Sequence, residues 1–145
     1  APDEIVVTHG GRRIATRDLG YRRADGMLVF VSRLDDMINV SGLNVYPKDI
    51  EDAVMAMPAV TDAVAFRRED RFAGERASLL FSASGEVASQ AVRAWCTARL
   101  APHQLPSDIV QVASVPRQAN GKISRRDVAA RYAAGEFTQS KEAAE

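Results

Sequence analysis

Val92, Trp95, Cys96 and Leu100 recur at i, i+3, i+4 and i+8 within residues 89–100, the spacing that lines up side chains on one face of a helix. Core packing is the simplest role for Trp95 and Cys96. Ile50, Val54 and Met57 repeat at the same spacing after Pro47, and Pro58 ends that run. Proline suits the first position of a helix, where a backbone N–H would have no partner. Met55 and Met57 read as packing residues or a helix edge, not as ligands. Residues 60–66 and 77–81 have the apolar content of two strands of one sheet, and the charged stretch 67–75 between them reads as a solvated loop. After Pro102 and Pro106, residues 109–112 predict a strand and residues 125–134 a short basic helix.

The start of the chain has a different rhythm. Residues 4–9 and 12–16 flank Gly10-Gly11 as two short strands around a turn, and residues 28–31 add a third after the Asp25-Gly26 turn signal. Residues 38–40 form a further short strand before Ser41-Gly42, where glycine permits a positive φ or a close backbone approach. Helices and strands alternating in this way predict an α+β fold. Residues 136–145 hold almost nothing apolar and are expected to fray.

Composition narrows the function. A chain of 145 residues supports one core with a short appended segment, not a large domain and a small one together. Lys plus Arg and Asp plus Glu are both 19, so no net field draws the chain to nucleic acid or an acidic membrane. His9 and His103 lie far apart and Cys96 stands alone, which argues against a zinc site, a disulfide framework and a Ser-His-Asp triad. No metal ligand is assigned. A lone cysteine fits a reduced, cytoplasmic setting; there is no run of eighteen apolar residues, and Ala1-Pro2-Asp3-Glu4 lacks the features of a signal peptide, so no membrane span is expected.

Three polar, glycine-containing patches carry the candidate chemistry: residues 16–21 (TRDLGY), 32–42 (SRLDDMINVSG) and 116–126 (PRQANGKISRR). A loop glycine beside charged groups can bring backbone amides to a phosphate. Lys122 follows Asn120-Gly121 in a turn that projects an ammonium away from the fold, where it suits an oxygen gaining negative charge. The local sequence alone equally fits a surface lysine, or a phosphate-contacting patch with Arg125 and Arg126. No aromatic residue is interleaved with that patch and Asp127 interrupts its charge, so a base-stacking surface is not indicated.

In order and spacing, the three patches resemble the late motifs of the adenylate-forming superfamily, which comprises acyl-CoA synthetases, nonribosomal-peptide adenylation domains and luciferases. The likeness runs from about Glu4 to Ala134, and the form of residues 43–47 (LNVYP) with Ile50-Glu51 is most similar to acyl-CoA ligases. The resemblance implies a C-terminal lid, a small mixed sheet packed with helices. It divides the chain into residues 1–33, like the end of a large N-terminal domain, a lid over 34–135, and a flexible tail over 136–145.

By the same resemblance Asp18 holds the ribose hydroxyls of ATP, Arg33 lies near the nucleotide, and Asp35, with Asp36 as its acidic neighbour, is the hinge. Gly42, with Asn44 beside it, faces the pantetheine arm of CoA, and Lys122 contacts carboxylate and α-phosphate during adenylation. The cofactors and substrates implied are ATP, CoA and Mg2+ in the complete enzyme. The implied partner is a large adenylation domain in cis or trans, with an acyl carrier protein as the alternative pantetheine donor. A carrier-protein-directed lid and a non-catalytic binding or regulatory module are the competing readings. Two residues depart from the pattern, Arg17 and Ser32, each standing where the family usually has glycine.

Overall fold

A computed structural model describes residues 2–137 as two sheets joined by a short connection. The first sheet is antiparallel, in the order β1 (Asp3–His9), β2 (Arg12–Arg22) and β3 (Leu28–Arg33). β2 runs well past the expected end at residue 16, through the whole first polar patch. It can do so because it is paired along its length: residues 12–15 pair with β1, residues 18–22 with β3, and Leu19 and Gly20 with both.

A 3-10 turn, Leu34–Asp36, leads from β3 into the second sheet. That sheet holds β4 (Ile38–Val40), β5 (Leu43–Val45), β6 (Val60–Asp70), β7 (Gly74–Ala83) and β8 (Asp108–Gln111). It is mixed, because β8 runs parallel to β7 while the other pairs are antiparallel. Helices α1 (Pro47–Met55), α2 (Ser89–Thr97) and α3 (Arg125–Ala133) complete the α+β fold.

Alternation along the central strands buries both faces of this sheet. Ala63, Ala65, Leu79, Phe81 and Ile109 face α1 and α2, where they meet Ile50, Val54, Val92 and Cys96. Val64, Phe66, Leu80 and Val110 point the other way, towards Val128 of α3. Burial of Phe66, Leu80 and Phe81 stabilises the fold by about 2 kcal/mol each. Trp95 spans the two helices of the first layer, its Nε1–H donating to the Ala53 carbonyl at 2.7 Å.

The charged stretch 67–75 is not a loop. β6 and β7 continue through it, pairing Arg67 with Ala77 and Asp70 with Gly74, so only residues 71–73 turn. The ribbon outruns the core there, which leaves room for charge on both strands. Asp70 closes the turn by accepting the N–H groups of Phe72 and Ala73 at 2.9 and 2.8 Å, and these bonds hold its carboxyl below the usual range.

Of the segment expected to fray, Glu136 and Phe137 are engaged. Glu136 accepts from Arg131 at 2.8 Å, and Phe137 packs against the cluster around Val128. Residues 138–145 lie outside the described residues.

Tyr132 of α3 gives the fold an alkaline limit. Burial and a 2.9 Å bond donated to Asp108 push its hydroxyl up to about 12. An unfolded tyrosine ionises near its ordinary value of 10, so the native state holds the extra proton between these values and stability falls as pH rises through that window. Ultraviolet titration should therefore find Tyr132 ionising after an ordinary tyrosine. The urea midpoint should drop between pH 10 and about 12, and Tyr132→Phe should remove that part of the drop.

Candidate functional site

The register of β2 and β3 brings two of the predicted site residues together. Asp18 and Arg33 are cross-strand partners, and Arg33 Nη1 donates to Asp18 Oδ1 at 2.9 Å. Arg33 also reaches the Thr16 carbonyl at 3.4 Å. Asp18 keeps its second carboxylate oxygen as an acceptor, a donor-acceptor match for one hydroxyl of a diol.

A bulge in β2 sets this corner. Pairing to β1 jumps from Glu4↔Leu19 to Val6↔Ala15, leaving residues 16–18 opposite Ile5. Thr16 Oγ1 ties the bulge by donating to Ile5 O at 2.7 Å and accepting from Asp18 N at 3.2 Å. Arg17 takes a φ of 62°, the left-handed region that glycine would enter without strain. Gly20 answers a different need, because a Cβ would lie 2.5 Å from the Val29 carbonyl oxygen.

The Arg17 side chain reaches the expected hinge. Its Nε donates to Asp35 Oδ2 at 3.4 Å and its Nη2 to Asp35 Oδ1, and the guanidinium holds the Asp35 carboxyl below the usual range. The Asp35 carbonyl accepts from Arg67 Nη2 of β6. Its neighbour Asp36 accepts from Arg125 Nη1 of α3 at 2.9 Å.

Arg125 also binds Glu51 of α1 through Nε at 3.1 Å and Nη2 at 2.6 Å, while Glu51 Oε2 takes the Ala65 N–H at 2.8 Å. One guanidinium thus ties α3 to α1 and to the connection between the sheets. Burial pushes the Glu51 carboxyl up, and Arg125 draws it only part of the way back. The basic patch read from the sequence is therefore split, with Arg125 turned inwards onto carboxylates and Lys122 and Arg126 left exposed.

Gly42 sits at the tip of the β4–β5 hairpin. Val40 pairs with Leu43, so the loop is Ser41-Gly42, with φ of 52° and 86°. Two positive φ angles define a type I′ turn, whose twist matches that of the strands it joins. The Asn39 side chain caps the turn by accepting the Gly42 N–H at 2.9 Å, a role the sequence reading missed although an Asx residue before a Ser-Gly turn is a usable signal. Asn44 is exposed and lies across from Asn39. No atom beyond the chain neighbours lies within 4 Å of a Cβ built on Gly42, so the tip is open to an approaching group.

Lys122 ends a separate turn. Gln118 N–H donates to the Lys122 carbonyl at 2.7 Å, Gly121 N–H donates to Gln118 O at 2.9 Å, and Gly121 has a φ of 82°. Asn120 Oδ1 accepts the Lys122 N–H at 3.0 Å. Arg117 anchors the turn to β6, donating to Gly121 O at 3.0 Å and to Asp62 Oδ2 at 2.6 Å. The Lys122 side chain is exposed and makes no ion pair among the described residues. The expected residues therefore fall on three places: Asp18, Arg33 and Asp35 around the connection, Gly42 and Asn44 on one hairpin, and Lys122 on its own turn. Among the described residues no group of three or more His, Cys, Asp or Glu side chains is arranged to hold a metal ion, and no helix is long and apolar enough to cross a membrane.

A small mixed sheet with helices on both faces, fed by one short connection from a strand-rich segment, is the C-terminal lid architecture of adenylate-forming enzymes. The family model described as the AMP-binding enzyme C-terminal domain matches residues 49–122, just over half of the chain, and the chain belongs to that family.

A 3,4-dihydroxybenzoate–[aryl-carrier protein] ligase of Bacillus anthracis is 34% identical over 128 residues, covering 87% of this chain and 30% of that relative. The structure of a fatty acyl CoA synthetase of Mycobacterium tuberculosis superposes with a TM-score of 0.73 at 32% identity, over 88% of this chain and 26% of that one. That of the o-succinylbenzoate CoA synthetase of Bacillus subtilis, in complex with its acyl-adenylate intermediate, gives 0.76 at 28% identity over 83% of this chain and 25% of that one. The chain thus spans between a quarter and a third of the length of these relatives.

Proposed function

We propose that the chain is the moving lid of an ATP-dependent carboxylate–CoA ligase whose large adenylation domain is supplied in cis or in trans. The observation that carries this reading is the separation of Lys122 and Gly42 onto two exposed, independently braced turns of one lid. A rigid body carrying two tools can serve two half-reactions in one active site by rotating about its connection.

In the first half-reaction a carboxylate attacks the α-phosphate of ATP, forming an acyl-adenylate and releasing pyrophosphate. The Lys122 ammonium holds the attacking carboxylate and neutralises charge growing on the α-phosphate oxygens. Asp18 accepts from the ribose hydroxyls while Arg33 fixes its carboxylate. Magnesium arrives with ATP, and no residue of this chain is assigned to it. The lid then turns about Asp35, Lys122 withdraws, and the Gly42 tip with Asn44 lines the path of pantetheine. The CoA thiol gives up its proton to solvent and attacks the acyl carbonyl, the thioester forms, and AMP leaves with the bonding pair. A carrier-protein acceptor is the second reading, favoured by the aryl-carrier protein relative. It uses the same thiol-bearing arm at the same tip.

The test combines acceptor and variant. With the large domain present, CoA should outcompete a phosphopantetheinylated carrier protein for the acyl group; the reverse order would select the second reading. Gly42→Ala puts a Cβ on a backbone at φ 86° and into the open path. It should slow thioester formation on the order of tenfold and leave pyrophosphate exchange within about twofold. Equal slowing of both would remove Gly42 from the proposed role.

A further inference from the structure

Arg17 combines two observations that are hard to reconcile with surface decoration. Its backbone occupies the left-handed region at φ 62°, which a glycine would take without strain, and its guanidinium spans to Asp35 in the short connection that joins the two sheets. A strained residue retained with a specific contact points to a role for that contact. Asp35 is also held by the second sheet, since Arg67 of β6 donates to its carbonyl. The same residue is therefore tied to the strand-rich segment by Arg17 and to the lid by Arg67.

We propose that Arg17 is a positioning residue that latches the connection at Asp35, biasing the lid towards the arrangement seen here and slowing its swing between half-reactions. The proposal rests on the lid reading above. Glu4 sets the latch from behind, because its Oε1 accepts the Arg17 N–H at 3.0 Å and so braces the left-handed backbone. Both members of the pair are more than half exposed, at 54% and 60%, so the grip is modest and sensitive to salt. A modest grip is enough, because an equilibrium between two lid positions responds to any contact made in only one of them.

The test needs a variant that removes the guanidinium without changing the backbone requirement. Arg17→Asn does so, since asparagine tolerates the left-handed region and is too short to grip Asp35. Arg17→Gly removes strain and grip together, and Arg17→Lys keeps the charge. In the whole chain, amide hydrogen exchange at residues 34–37 should rise about threefold to tenfold in Arg17→Asn and Arg17→Gly. Amides of β6 and β7 should not change, and Arg17→Lys should recover part of the protection. Asp35→Asn should raise exchange similarly, with no further rise when combined with Arg17→Asn. Unchanged exchange at 34–37 in a folded Arg17→Asn chain, or additive effects in the double variant, would overturn the latch. With the large domain present, Arg17→Asn should speed single-turnover passage from acyl-adenylate to thioester by a similar factor. If exchange at the connection responds while no adenylation occurs with any carboxylate tried, the lid reading fails and the contact stands as a structural tie alone.

Discussion

Lys122→Ala is expected to lower carboxylate-dependent ATP–pyrophosphate exchange by roughly 10²–10³-fold when the chain works with its large domain. The figure is that for removing one preorganised group aimed at charge developing in a transition state. The fold should not contribute to the loss. The Lys122 turn is closed by backbone atoms of Gln118, Gly121 and Lys122, by the Asn120 side chain and by Arg117, none of which needs the lysine side chain. Stability should therefore stay within about 0.5 kcal/mol of the parent. Thioester formation from a synthetic acyl-adenylate should change less than about tenfold, since the proposed rotation has withdrawn Lys122 by then. An equal loss in both half-reactions would mean that Lys122 supports the site generally and not adenylation.

The largest expected effect on stability belongs to Arg125→Ala. Glu51 and Asp36, with side chains only 14% and 19% exposed, would lose the cation that binds both, and Glu51 would keep only the Ala65 N–H. Removing one partner from such a buried pair costs about 3 kcal/mol. The loss should depend on pH. Burial already raises the Glu51 carboxyl, and without Arg125 only the Ala65 N–H opposes that push. A group whose folded value lies above its unfolded one stabilises below the unfolded value and loses that contribution as pH rises through the folded one. Urea denaturation should therefore show a larger deficit at pH 8 than at pH 5. A deficit under about 0.5 kcal/mol at both would show that α3 is held by the Val128 cluster alone.

Much of the fold was legible because it depends on local pattern. The buried faces of α1 and α2 follow from Ile50, Val54, Val92 and Cys96 at helical spacing, and the central strands follow from their apolar runs. The Ser41-Gly42 and Gly121-Lys122 turns were visible because glycine at a positive φ leaves a local signature. The extension of β6 and β7 through residues 67–75 was not visible, since charged residues in a ribbon beyond the core look like a solvated loop. Contacts between distant segments were equally hidden. Arg125 meets Glu51 and Asp36 across 74 and 89 residues, and nothing local distinguishes it from its exposed neighbour Arg126. Arg17 stood out as a departure from glycine, but its grip on Asp35 depends on the bulge that turns its backbone left-handed. Arg117, which braces the Lys122 turn onto Asp62, had no signal at all.

The most direct measurement is carboxylate-dependent ATP–pyrophosphate exchange by the pure chain, by the large domain, and by the two together. The proposed lid predicts exchange by the pair well above that of either part, and its loss in the pair when the chain carries Lys122→Ala. Full exchange by the large domain without this chain, or exchange by this chain alone, would contradict it.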